Sequence, residues 1–177
     1  GCPYRCFYCD VQHLTPMHRR RSVESVFDEV KYLHDMGVRK SEFIDDAFNV
    51  NVKEFKAFFR KVIDSKMDMS FYFQSGLRGD LLDEEAIDLM VEGGTKSMNL
   101  SLESASPRLQ KLMGKYLRIE RLRENLDYIV RTYPQIIIGL NAMHGFPTET
   151  EEEAKATVDF VMQVKWLHFA QLHNVRI

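Results

Sequence analysis

The stretch Gly1-Cys2-Pro3-Tyr4-Arg5-Cys6-Phe7-Tyr8-Cys9-Asp10 holds every cysteine of the 177-residue chain, spaced C-x3-C-x2-C, with an aromatic directly before the last. Three cysteines in one short loop cannot staple a chain of this length, so a disulfide framework is excluded. Such a loop is suited to wrapping three soft thiolates around one small object, and iron–sulfur clusters are held by cysteine thiolates in this way. A four-iron cubane with only three protein ligands keeps one iron open, the logic that separates catalytic from structural zinc sites. The competing reading adds His13 to give C-x3-C-x2-C-x3-H, a set that suits a structural zinc knuckle.

Around this loop the chain is ordinary. Its length fits one domain spanning residues 1–177. Hydrophobic content is 45% and charged content 28%, both usual for a globular protein. The net charge of −2 gives no general electrostatic reason to propose nucleic acid as a partner. No apolar run approaches membrane-span length and no signal peptide is visible. Reduced thiols on an exposed loop point to the cytoplasm. The chain opens on Gly1-Cys2 with no Met and no strand before the motif, which reads as a piece of a longer protein.

Outward from the loop, His18-Arg19-Arg20-Arg21 reads either as an anion clamp or as a solvated basic turn. Ser22 caps a helix striped by Val23, Val26, Phe27, Val30 and Leu33 and stopped by Gly37. Glu42 to Asp46 reads as a short strand ending in two carboxylates. Asn51 and Glu54 open a helix with Phe55, Phe58, Phe59, Val62 and Ile63 on one face. Ser70 to Ser75 is a buried strand. Asp83 caps a short helix ending at Gly93-Gly94, Lys96 to Leu102 is a strand leading into Glu103, and Ser106-Pro107 opens the next helical piece. A longer helix aligns Leu122, Leu126, Ile129 and Val130 and breaks at Tyr133-Pro134. Ile136 to Leu140 is the most strand-like stretch. Thr148 with Glu151 predicts a capping box for a helix carrying Ala154, Val158, Val161 and Met162 inward. His168 to His173 closes as a strand.

Helices and strands that alternate at this pitch imply βαβ units and a parallel sheet. Right-handed crossovers then put all strand C-termini on one rim, where functional loops gather. Polar residues close each strand there: Asp45-Asp46, Gln74-Ser75, Ser101 to Glu103, Asn141 to His144, and His173. The series suggests a lined cavity.

The loop Cys2-x3-Cys6-x-Tyr8-Cys9 resembles the signature of the radical S-adenosylmethionine (SAM) superfamily. The likeness covers essentially the whole chain. It implies an α/β fold, a partial (β/α)6 barrel of parallel strands with the first strand missing, in which Cys2, Cys6 and Cys9 ligate a [4Fe–4S] cluster whose open iron takes SAM. Asp45-Asp46-Ala47-Phe48-Asn49 departs from the usual glycine-glycine-acid pattern and matches a D-D-x-F-N variant of cobalamin-associated members. Glu103-Ser104-Ala105-Ser106 resembles the family's E-S-x-S/D block, followed by the basic Lys115 where many relatives carry Arg. Gly145 to Thr150 resembles its G-x-P-x-E-T turn, with Thr148 replacing the usual Gly. On these matches Tyr8, Asp45, Asp46, Ser75, Arg78, Glu103, Lys115 and Asn141 are the expected SAM-binding residues, with Lys115 on the SAM carboxylate. Arg108 is expected on the helix exterior, away from the site.

What the resemblance implies is reductive cleavage of SAM to methionine and a 5′-deoxyadenosyl radical, which then abstracts hydrogen. Such an enzyme takes its electron from a donor such as flavodoxin or ferredoxin. The D-D-x-F-N match leans towards methyl transfer with cobalamin carried by an upstream domain. The alternatives are a radical SAM oxidoreductase of the porphyrin-biosynthesis type, or a non-catalytic zinc- or SAM-binding module.

Overall fold

The computed structural model describes residues 1–165 and 167–175. After the cysteine loop comes one short turn of helix, α1 (Val11–Leu14). Then helices and strands alternate: α2 (Val23–Asp35), β1 (Lys40–Glu42), α3 (Val52–Ser65), β2 (Ser70–Leu77), a 3-10 turn at Gly79–Leu81, α4 (Glu84–Glu92) and β3 (Thr95–Glu103). The chain continues through α5 (Pro107–Leu112), α6 (Ile119–Thr132), β4 (Ile137–His144), α7 (Glu151–Gln163) and β5 (Phe169–Asn174). The five strands form one parallel sheet in sequence order, β1-β2-β3-β4-β5. The sheet does not close on itself: β1 and β5 are its two edges.

The predicted caps largely hold. Ser22 accepts a hydrogen bond from the Ser25 amide, Asn51 from Glu54, Asp83 from Ala86 and Ser106 from Leu109. Three expectations are corrected. The first strand is Lys40–Glu42; one further ladder bond, from the Phe43 amide to the Tyr72 carbonyl, precedes the turn that carries Asp45 and Asp46. The capping box before α7 is formed by Thr150 and Glu153, because Thr148 adopts a left-handed backbone (φ +64°) that cannot begin a helix. The inward face of α7 is also turned: Thr157 and Phe160 are buried, whereas Val158 and Met162 are exposed. Thr157 is drawn inward by polar contacts, since its hydroxyl accepts from the Ala105 amide at 3.0 Å and lies 3.3 Å from the Ser104 hydroxyl.

One sheet face packs against the helices. Phe71, Phe73, Met98, Leu100, Leu102, Ile138 and Leu140 are buried there. At its β1 end this core is aromatic: Phe43 stacks on Phe73 at 5.0 Å, and Phe48, Phe55, Phe58 and Phe59 surround the pair. The register places the alternate residues on the other face, with Tyr72 opposite Ser97, Asn99 opposite Gly139 and Ser101 opposite Asn141. This second face is polar. Gln74 donates to the Ser97 hydroxyl, and Asn99 to the Gln74 carbonyl. Gly139 keeps it open, since a Cβ there would overlap both the Asn99 side chain and the Phe169 ring.

Candidate active site

The cysteine loop lies over the rim where the strands end. The Phe7 amide donates to the Met113 carbonyl, just past α5, at 3.1 Å. Tyr8 and Phe7 pack edge-on against Phe146, which follows β4. Together with Leu109, Met113 and Met143 these rings form a small apolar cluster beneath the loop, separate from the main core. Arg78 sits over the Tyr4 ring at 4.3 Å. The loop is thus tied to the exits of β2, β3 and β4.

All three cysteines are free and half-buried. Burial pushes the Cys2 and Cys6 thiols above their ordinary pKa. Lys115 pulls Cys6 back down, while Cys2 and Cys9 push it up. Cys2 feels Cys9 and Asp46 as raising charges and Arg78 as a lowering one. The Tyr8 hydroxyl lies close to Cys6, and its own pKa is pushed strongly up by burial first and then by Glu103 and the thiols. The donor set therefore fits an iron–sulfur cubane: three soft ligands within electrostatic reach of one another, with two cations beside them to offset a cluster's negative charge. His13 lies exposed in the last turn of α1.

The Glu103–Lys115 pair is the most marked feature of the rim. Lys115 Nζ lies 2.6 Å from Glu103 Oε1, and both residues are buried. Glu103 sits at a register shift between β3 and β4 with φ +64°. That conformation costs a non-glycine residue about 1–3 kcal/mol and persists only where its surroundings fix it. Gln110 supplies part of that fixing: its amide nitrogen donates to the Leu102 and Ser104 carbonyls at 2.8 and 2.6 Å.

The Asp45-to-Asn49 segment divides into anchors and presented groups. Phe48 is packed into the aromatic core. Asn49 is fully buried and exchanges two hydrogen bonds with the Arg78 backbone, at 2.8 and 3.1 Å. Asp45 and Asp46 are left exposed at the rim, with Asp46 Oδ2 3.0 Å from the Gly1 nitrogen. Ser75 is exposed at the β2 exit. Asn141 faces the same side, and its Oδ1 is buried without a hydrogen-bond partner.

Arg78 is committed within the fold. It makes a two-pronged contact with the buried Asp80, both arms at 3.0 Å, and donates to the Lys115 carbonyl at 2.7 Å. Arg108 is exposed, as expected, but it bonds Glu153 and Thr148 and so ties α5 to α7. Asn49, Asp80, Gln110 and Thr157 support the rim and were not singled out from sequence. Only Asn49, as the last letter of the D-D-x-F-N match, carried a signal.

Residues 1–161 match the model of the radical SAM superfamily, and the chain belongs to that superfamily. An uncharacterised methyltransferase of Pyrococcus horikoshii is 32% identical over 170 residues, covering 93% of this chain and 35% of its own. Cytidylyl-2-hydroxyethylphosphonate methyltransferase of Streptomyces wedmorensis is 30% identical over 167 residues, covering 90% of this chain and 31% of the relative. The chain thus spans about a third of the length of the curated relatives it matches. Among solved structures, the radical SAM methyltransferase TsrM of Kitasatospora setae, with tryptophan and a SAM analogue bound, superposes with a TM-score of 0.80 at 22% identity, over 97% of this chain and 34% of that one. The cobalamin-dependent radical enzyme OxsB superposes at 0.68 with 16% identity, over 97% and 26%. These likenesses establish the partial barrel.

Proposed function

We propose that this domain holds a [4Fe–4S] cluster on Cys2, Cys6 and Cys9 and binds SAM at the adjoining rim, as the radical half of a cobalamin-dependent methyltransferase. The observation that carries the reading is the placement of three free, half-buried thiols beside the Glu103–Lys115 pair at the C-terminal ends of parallel strands. When bound and reduced, the cluster supplies the electron that divides SAM into methionine and a 5′-deoxyadenosyl radical.

The chain's own residues bind and orient. An ammonium has three donors, so Lys115 keeps two for the SAM carboxylate while Glu103 holds it in place. Glu103 Oε2 and Asn141 Oδ1 are acceptors for SAM's hydroxyl and amino groups. Asp45, Asp46 and Ser75 offer further polar contacts along the same rim. Arg78 acts through Lys115, whose carbonyl it fixes. Tyr8 sits against Cys6 and helps keep water from the thiols.

Methyl transfer, rather than the oxidation performed by porphyrin-type relatives, is favoured by the Asp45-to-Asn49 match and by the relatives at 30% identity or more, two methyltransferases and a tRNA-2-methylthio-N(6)-dimethylallyladenosine synthase. Among the described residues no helix is long and apolar enough to cross a membrane. A reducing cytoplasm suits the free thiols.

The test is anaerobic reconstitution. The protein should take up about four irons per chain, and its reduced EPR signal should change on addition of SAM. Under strong reduction it should release methionine and 5′-deoxyadenosine. Stoichiometric zinc without iron uptake would restore the knuckle, and tight SAM binding without cleavage by the loaded cluster would favour a regulator.

A further inference from the structure

Among the described residues two carboxylates are buried, Glu103 at 8% exposure and Asp80 at 1%, and the functional reading uses only the first. Asp80 stands in the 3-10 turn at Gly79–Leu81, just past the β2 exit. That turn is seated on α6. Asn125 donates to the Gly79 and Leu82 carbonyls, each at 2.8 Å, and a Cβ on Gly79 would overlap the Leu122 side chain. The Arg118 amide donates to Asp80 Oδ2 at 3.2 Å. A carboxylate buried this deeply needs a cation as well, and its cation is Arg78.

The pairing determines what Arg78 has left to give. Its Nε and Nη2 donate to the two Asp80 oxygens, both at 3.0 Å. Nη1 then reaches the Lys115 carbonyl at 2.7 Å, and Nη2 the Tyr116 carbonyl at 3.4 Å. The guanidinium carbon stands 4.3 Å from the centre of the Tyr4 ring. One side chain thus touches two segments far apart in sequence. Tyr4 lies between Cys2 and Cys6, in the loop of proposed cluster ligands, and Lys115 is the proposed SAM anchor. The Lys115 turn needs such support. Its neighbours Gly114 and Tyr116 are left-handed, at φ +73° and +50°, and a residue with a side chain keeps that conformation only where its surroundings impose it. The same two segments meet again at the Phe7–Met113 hydrogen bond.

We infer that Asp80 is a positioning residue for SAM cleavage: it orients Arg78 so that the guanidinium holds the cysteine loop, at Tyr4, and the Lys115 turn at a set separation. The inference rests on the proposed cluster and SAM site. The first segment carries the cluster ligands and the second the carboxylate anchor, so a shift between the segments is a shift between the two cofactors. A misplacement of about 1 Å between reacting groups can cost about 100-fold in rate. A counter-ion with no such role would affect folding alone, and the two roles separate by measurement.

The experiment uses the iron-loaded protein in its full length, with SAM itself as the probe. Asp80→Asn removes the charge, and with it the grip on Arg78. Tyr4→Leu removes the ring and leaves the Asp80–Arg78 pair intact. Both should retain iron. Each should weaken SAM binding about 10-fold and lower the rate of 5′-deoxyadenosine release at saturating SAM by about 10-fold under dithionite. The EPR signal of the reduced SAM complex should split into more than one species. Tyr4→Phe keeps a ring for the guanidinium and should restore all three readings. Because Asp80→Asn leaves a buried arginine without its counter-ion, the double variant Arg78→Met/Asp80→Asn is the deciding one. It should regain the resistance to denaturant that Asp80→Asn loses, yet keep the weak binding, slow release and mixed EPR signal. Unaltered SAM affinity and EPR signal in the double variant would overturn the proposal and leave Asp80 a structural counter-ion. The same result for Tyr4→Leu would overturn it too, since the loop would then be set without Arg78. A failure of the unmutated protein to take up iron or bind SAM would fall on the functional reading instead.

Discussion

Lys115 and Glu103 are a buried ion pair whose members depend on each other. Removing one partner of such a pair leaves an uncompensated buried charge and costs about 3–5 kcal/mol, whereas replacing both with neutral groups of similar size costs far less. Lys115→Ala is therefore expected to lower the unfolding free energy of the iron-free protein by about that amount. The double variant Glu103→Gln/Lys115→Met should recover most of it. Equal losses in the single and double variants, read by denaturant unfolding, would show that the pair is energetically idle. The same lysine bears on the ligand. A charge-assisted hydrogen bond contributes about 1.5–3 kcal/mol, so Lys115→Ala should also weaken SAM binding about 10- to 150-fold while leaving iron content unchanged. Unchanged affinity by calorimetry would place the carboxylate anchor elsewhere. At this scale the family resemblance placed Glu103 and Lys115 at one rim, whereas nothing in local periodicity brings a strand end and a residue after a helical turn together. The sequence was silent on their direct contact and on the left-handed backbone of Glu103, which depend on Gln110 reaching back across the turn.

Among the elements, α7 shows how a capping choice carries through a helix. Its N-cap is Thr150 and not Thr148, and Glu153 at the third position accepts from the Thr150 amide while also holding Arg108 and Ser106. Hydrogen bonds from Arg108 and then Ser106 lower the Glu153 pKa from 4.5 to about 2. Its folded value lies below its unfolded one. The stability it contributes is therefore complete above pH 4.5 and lost as pH falls towards 2. Arg108→Ala should move the Glu153 titration back towards 4.5, followed by NMR. A midpoint still near 2 would show that Arg108 is not what holds it. Thr150→Ala should cost about 1 kcal/mol in thermal unfolding. The capping residues of α2, α3, α4 and α5 were legible from a suitable side chain before each apolar stripe, helped at α5 by Pro107 in the first turn. Here Thr148 and Thr150 both offered a hydroxyl with a glutamate three places on. Only the φ of Thr148 separates them, and nothing local to the sequence records it.

Across the described residues, parallel strands in sequence order make β3 the central strand, flanked on both sides and buried over most of its length. β5 is an edge strand with most of its residues exposed. In a protein made of these residues alone, amide exchange should therefore be slowest in β3 and much faster in β5, because local opening is cheap where little apolar area is covered. Comparable protection in the two strands would contradict this open-sheet architecture. The order and parallel sense of the strands were legible from the alternation of periodicities, since the handedness of the crossovers leaves few other topologies. The polar second face was harder to read. Gln74, Ser97 and Asn99 look like ordinary interruptions of apolar runs until the register sets them side by side.

The bonds that run from Asn49 to the Arg78 backbone, from Arg78 to the Lys115 carbonyl and from Lys115 to Glu103 join the exits of β1, β2 and β3 into one circuit. A molecule arriving at these strand ends meets a finished surface, not loops waiting to be ordered. Its capture should thus be a single kinetic step: in stopped-flow mixing the observed rate climbs linearly with concentration and reaches no plateau, because no slow rearrangement stands between encounter and complex.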